Sequence, residues 1–246
     1  MESVDRIAET GVAALLFALT FLFGRHFHPL RPLIRDDRVG LSFGAGMSVA
    51  YIFVHVMPEL HAVRASFAEG MGVPLPLQGM VVYYLALVGF LLFYLMDQLG
   101  ERMSRSDGEA GEDHAYRLDI GGFAVYACLM GYLLVRNLGD SHVSTAFFGV
   151  TIAVHFLALT HALDAEHGSA YRRGGRFVLA GASLLGWSLG LALPLPLEVL
   201  ALLVAFISGA VVMNATIMEI HSEKDGHLLP FAAGGLIYGL ILLPLG

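Results

Sequence analysis

One cysteine, Cys128, stands in the whole chain, inside an apolar run, so no intrachain disulfide and no cysteine-built metal cage is open to this protein. Charge is scarce as well. Asp, Glu, Lys and Arg make up 14% of the 246 residues against 57% hydrophobic ones, and the mean hydropathy of +0.70 exceeds what a water-soluble domain carries without exposing apolar surface. The chain is therefore expected in a membrane. Net charge is −7 and no basic run is long enough for a nucleic-acid patch, which excludes that partner class. There is no phosphate-cradling glycine loop, so nucleotide-driven work is excluded too. The opening MESVDRIAETGVAALLFALTFLFGRHFH has no small-residue cleavage site and carries positive charge behind its apolar stretch, which predicts a retained first span.

What is present is a series of apolar runs near the roughly 17–25 residues that cross a bilayer. They cover 7–24, 39–58, 80–96, 120–135, 143–163, 177–193, 199–220 and 228–245. No barrel-like alternation accompanies them, so helices must satisfy the backbone in lipid. The fold class expected is all-α, a polytopic integral membrane bundle of eight transmembrane helices, forming a single transmembrane domain over 1–246. Basic residues set the orientation. Arg6, Arg64 and Arg136 fall on one side, while Arg25, Arg31, Arg35, Arg38, Arg102, Arg105, Arg117, Arg172, Arg173, Arg176 and Lys224 fall on the other. This predicts a cell (plasma or inner) membrane protein with both termini extracytoplasmic. The polar segment ERMSRSDGEAGEDHAYR then becomes a mobile cytoplasmic loop over about 101–118. Glycine pairs four apart, Gly40 and Gly44, Gly186 and Gly190, Gly235 and Gly239, are expected to let helices approach closely.

Ionisable side chains inside spans are costly and therefore candidates for function. In the second span Gly44, Ser48, Tyr51, His55 and Glu59 form a seam along one helix face. His55 and Glu59, four apart, could share a cation, or simply cap one another at the membrane surface. In the fifth, VHFLALTHALDAEHG, the histidines His155, His161 and His167 are six apart and point to different sides. His161, Asp164 and His167 share a wedge at the helix end, with ligand types suited to a divalent cation or to a solvated acid–histidine pair. His155 lies deeper, near the face of Glu166, and needs partners from other helices. The seventh span adds Asn214, with Glu219 and His221 at its end; Asn214 serves equally as a helix–helix hydrogen bond.

The HVMPEL that closes the second span, the long polar segment after the third, the placement of the termini and the closing AFISGAVVMNATIMEIHSEKDGHLLPFAAGGLIYGLILLP together resemble the ZIP (Zrt/Irt-like) family of divalent-metal transporters. The resemblance covers nearly the whole chain. It implies a metal site between the fourth and fifth helices, where YACLMG and HFLALT stand in place of the family's motifs: Gly131 and His155 agree, whereas Tyr126, Ala127, Leu129, Met130, Phe156, Ala158 and Leu159 depart. What it implies is transport of zinc, iron or manganese into the cytoplasm by alternating access, without a required cofactor beyond a bound divalent metal. His55 and Glu59 would recruit the ion, His155 would act at mid-membrane, and His161, Asp164, Glu166, Glu219 and His221 would receive it. The divalent ion and the lipid bilayer are the expected partners, with a homodimer left open. A ZIP-fold protein that senses or binds metal, or serves as a partner subunit without transporting, is the alternative. An intramembrane zinc hydrolase is the third reading, and no His-Glu-x-x-His motif is present to support it.

Overall fold

A computed structural model describes residues 2–26, 37–58, 80–106, 108–136, 142–221 and 228–243. Runs of Ala, Leu, Val and Phe with few internal breakers form helices throughout, and no strand occurs among the described residues. In chain order they are α1 (Glu2–Phe23, extended by a 3-10 turn Gly24–His26), α2 (Asp37–Tyr51, continued by a π-helical turn Ile52–Val56) and α3 (Met80–Ser106). Then follow α4 (Gly108–Val135), α5 (His142–Ala170), a π-helical turn Tyr171–Gly175, α6 (Arg176–Ala192), α7 (Leu197–His221) and α8 (Leu228–Leu242).

Four stretches are helical for long enough, and apolar enough, to cross a membrane: Asp5–His26, Met80–Arg105, Ala110–Val135 and the 45 residues Phe148–Ala192. Ser42–Val54, Glu198–Asn214 and Leu228–Leu242 are shorter apolar helices. The long stretch is two helices, because Gly168 turns the chain with φ 49 and ψ −113, a conformation reserved for glycine. Beyond the turn, the Tyr171 hydroxyl donates to Thr160 Oγ1 at 3.3 Å. Eleven residues of straight helix span about 16 Å, so the chain folds back on itself here. Large apolar side chains stay outward on many helices: Val12, Tyr84, Leu229 and Leu236 are each at least 67% exposed. Lipid tails would cover such a surface.

The segment expected as a mobile loop is instead largely helical. α3 runs to Ser106 and α4 begins at Gly108. Its residues are good helix formers, and the ion pairs Arg105–Glu101 and Arg117–Asp113 recur at the four-residue spacing that faces them together.

The chain gathers into two compact units. One comprises Met1–Phe27 and Leu92–Leu193, the other His28–Leu91 and Pro194–Gly246. In the first, α4 packs along α6, and α1 along α5 and α6. Glycine sets the α4–α6 distance. Any Cβ on Gly186 would strike the Cys128 carbonyl, one on Gly131 would strike the Ser183 carbonyl, and one on Gly190 would lie 2.9 Å from the Tyr132 carbonyl oxygen. The Tyr132 hydroxyl then caps the end of α6 by donating to the Leu193 carbonyl at 2.8 Å. In the second unit α2 packs on α8 and α7. The close approach there runs through Gly46 against Phe231 and Gly234 against Phe43, whereas Gly235 meets Gly46 at an ordinary 3.6 Å. Gly89 and Gly209 seat α3 against α7 on Phe206 and Ala86.

Candidate metal centre

The core of the first unit surrounds His155. Ile152, Ala153, Phe156, Leu159 and Leu163 place the buried face of α5 inward, and His155 shares that face at 0% exposure. Phe156 packs edge-on against Phe17 at 5.2 Å and tilted against Phe21 at 4.6 Å, which locks α5 to α1. From α4 the ring of Tyr126, itself 1% exposed, meets the His155 ring edge-on, with centroids 5.8 Å apart. Neither ring nitrogen of His155 nor the Tyr126 hydroxyl has a hydrogen-bond partner among the described residues. Buried polar atoms are rarely left so, because an unmade hydrogen bond costs about 1–3 kcal/mol. Three orphaned atoms on two touching rings are what a site awaiting a ligand would present.

A second cluster forms where the first half of α4 meets the end of α5. Asp119 Oδ2 and His167 Nε2 stand 2.9 Å apart, with side chains only 8% and 7% exposed. Glu166 joins them: one ligand atom from each of Asp119, Glu166 and His167 lies within 4.8 Å of the others. It is the group of three or more His, Cys, Asp or Glu able to hold a metal ion among the described residues. The neighbours fix its geometry. Tyr116, one turn before Asp119, packs edge-on against the His167 ring at 5.4 Å and donates its hydroxyl to the Ala170 carbonyl at 3.2 Å. Gly100 of α3 leaves room for the carboxylate, since a Cβ there would already be 3.4 Å from Asp119 Oδ1. Gly168 turns the chain directly after His167.

The residues singled out from sequence are distributed as follows. His155 is at the centre of the first unit, and His167 is in the second cluster with Glu166. Asp164 is bound to Arg172 at 3.0 Å, across the fold-back. The expected wedge is thereby divided, since Asp164 turns to a guanidinium and His167 to Asp119. His161 is half-buried. Asn214 is buried at 6% exposure in the second unit, with its Nδ2 lacking a partner among the described residues. His55, Glu219 and His221 lie on described helices, but their side chains are outside the described residues, as is Glu59 altogether. Asp119 is the residue that sequence reasoning missed. It sits one position ahead of the expected fourth span, where an acid reads as a wet helix end; only the position of α5 shows it to be buried against a histidine.

At the opposite ends of α4 and α5 a cleft of about 210 Å³ opens, lined by Arg6, Glu9, Thr10, Leu134, Val135 and Thr145, among others. Trp187 bounds this region by donating its indole N–H to Thr10 Oγ1 at 3.2 Å. No protein-family model matches the chain, and no curated protein or solved structure matches it either.

Proposed function

We propose that the chain is a membrane transporter of a divalent metal cation, zinc, iron or manganese, carried into the cytoplasm by alternating access in an eight-helix bundle resembling the ZIP family. The observation that carries this is His155: fully buried, with both ring nitrogens unpartnered, and facing the helix on which the resemblance puts the other half of a metal site. A neutral imidazole is a good ligand for borderline divalent ions. An intramembrane ionisable residue held without a partner is better accounted for by transit of an ion than by packing.

Two further features support transport. Along α4 the polar positions Asp119 and Tyr126 are about 11 Å of helix rise apart, and α5 presents His167, His155 and Thr145 in the matching order. Polar stations thus recur from one end of the helix pair to the other. The chain also has two compact units, and rigid-body movement of one bundle against another is how many carriers alternate access. With no nucleotide-binding motif, transport would run down an ion gradient. The distribution of arginines supports an orientation with both termini outside the cytoplasm, which would leave Asp119 on the cytoplasmic side.

A metal-sensing or metal-binding protein that does not transport is the second reading, and one observation favours it. His155 is walled by Tyr126 and Phe156, with no carboxylate grouped with it among the described residues. Uptake of Zn²⁺, Mn²⁺ and Fe²⁺ into proteoliposomes separates the two. Saturable flux lost in His155→Ala supports transport, and flux equal to that of empty vesicles for all three ions leaves only binding.

A further inference from the structure

We infer that Asp119, Glu166 and His167 form a binding site for a borderline divalent transition-metal ion, one that fills independently of His155 and of whether any ion passes it. The donors belong to that class: two carboxylates and one imidazole suit Zn²⁺, Mn²⁺, Fe²⁺ or Co²⁺, whereas Mg²⁺ and Ca²⁺ favour oxygen alone and Cu⁺ favours sulfur. The spacing is close to that of a filled site. Donors about 2.0–2.2 Å from one ion stand roughly 3–4 Å from one another, and these three lie within 4.8 Å, so side-chain movement of about an ångström would bring all three onto one ion.

Charge points the same way. Asp119 and His167 are both nearly excluded from solvent, and a dication held between a buried carboxylate and an imidazole meets the weaker screening of the interior. The site is also built rather than incidental. The Tyr116 ring packs against the His167 ring and limits its rotation. Gly100 makes space for the Asp119 carboxylate. With three protein donors the ion would keep positions for water, so it would bind reversibly rather than as a closed structural staple. An ion there would also tie the first half of α4 to the end of α5, immediately before the fold-back at Gly168.

The test uses the full chain in detergent micelles, titrated with Co²⁺ and followed by visible d–d absorption, with Zn²⁺ competing. The expected result is a saturable spectrum that Zn²⁺ displaces. Asp119→Asn and His167→Gln should weaken binding by at least about tenfold. Glu166→Gln, at an exposed position, should weaken it and change the band intensities while leaving the fold unaltered, which covers the case in which the buried variants fold poorly. In a His155→Ala background, the part of the spectrum that Asp119→Asn removes should remain. Glu166→Gln and Asp119→Asn both binding Co²⁺ with parental affinity and spectrum would overturn the assignment. A parental protein that shows the spectrum but no uptake keeps this site and removes the transport proposal; uptake without any spectrum does the reverse.

Discussion

His155 and His167 stand twelve positions apart on α5 and differ in what surrounds them. His155 has an aromatic wall and no hydrogen-bond partner among the described residues, which is costly in a protein kept only for its fold. Replacing it by leucine removes the orphaned nitrogens and keeps most of the volume. His155→Leu is therefore expected to leave thermal stability in detergent within about 1 kcal/mol of the parent or to raise it, while metal uptake disappears. A large loss of stability with uptake intact would mean that the ring is structural. His167 is the opposite case. Its removal strands the Asp119 carboxylate at 8% exposure, so His167→Ala should destabilise by about 3–5 kcal/mol, and the double variant with Asp119→Leu should recover most of the loss in a denaturation series. At this scale the sequence was half legible. The depth of His155 follows from the apolar run around it, and the polarity of His161, Asp164, Glu166 and His167 is plain. Which acid would meet which base was not, because Asp164 and Asp119 are both acids at helix ends, and only the fold-back decides that Arg172 takes the first and His167 the second.

Helices were easier to read than their contacts. Apolar runs located every described helix to within a few residues at most boundaries, because backbone satisfaction in lipid leaves no other choice. The exception is the polar stretch between α3 and α4, where charge suggested a loop. Helix-forming side chains and four-spaced ion pairs carry helix to Ser106 and again from Gly108, whose φ is positive. Glycine spacing predicted one crossing well: Gly186 and Gly190 lie on Cys128 and Tyr132, also four apart. It placed the other imperfectly, since Gly234 rather than Gly235 makes the tight contact on α2, and a one-residue difference around a helix is invisible to a pattern of small residues. Gly186→Val should force α4 and α6 apart. A loss of about 1–3 kcal/mol, read as a lowered melting temperature, is expected, whereas Gly181→Val, where an added Cβ meets nothing within 4 Å, should change little.

For the whole molecule, charge and hydropathy point to a membrane protein, and four helices long and apolar enough to span a bilayer agree. Composition says nothing of the division into two compact units, because each unit gathers segments distant in sequence. The proposed function joins these levels: a buried histidine without a hydrogen-bond partner among the described residues, polar residues toward either end of its helix pair, and two compact units. Its central claim is that a divalent ion crosses by way of His155. The most direct test is initial-rate uptake of Zn²⁺, Mn²⁺ and Fe²⁺ into proteoliposomes, with parent and His155→Ala protein at equal density beside empty vesicles. The account predicts saturable uptake of at least one ion by the parent and its reduction by at least about tenfold in the variant. Equal saturable uptake by both proteins, or uptake by the parent no faster than into empty vesicles, would contradict it.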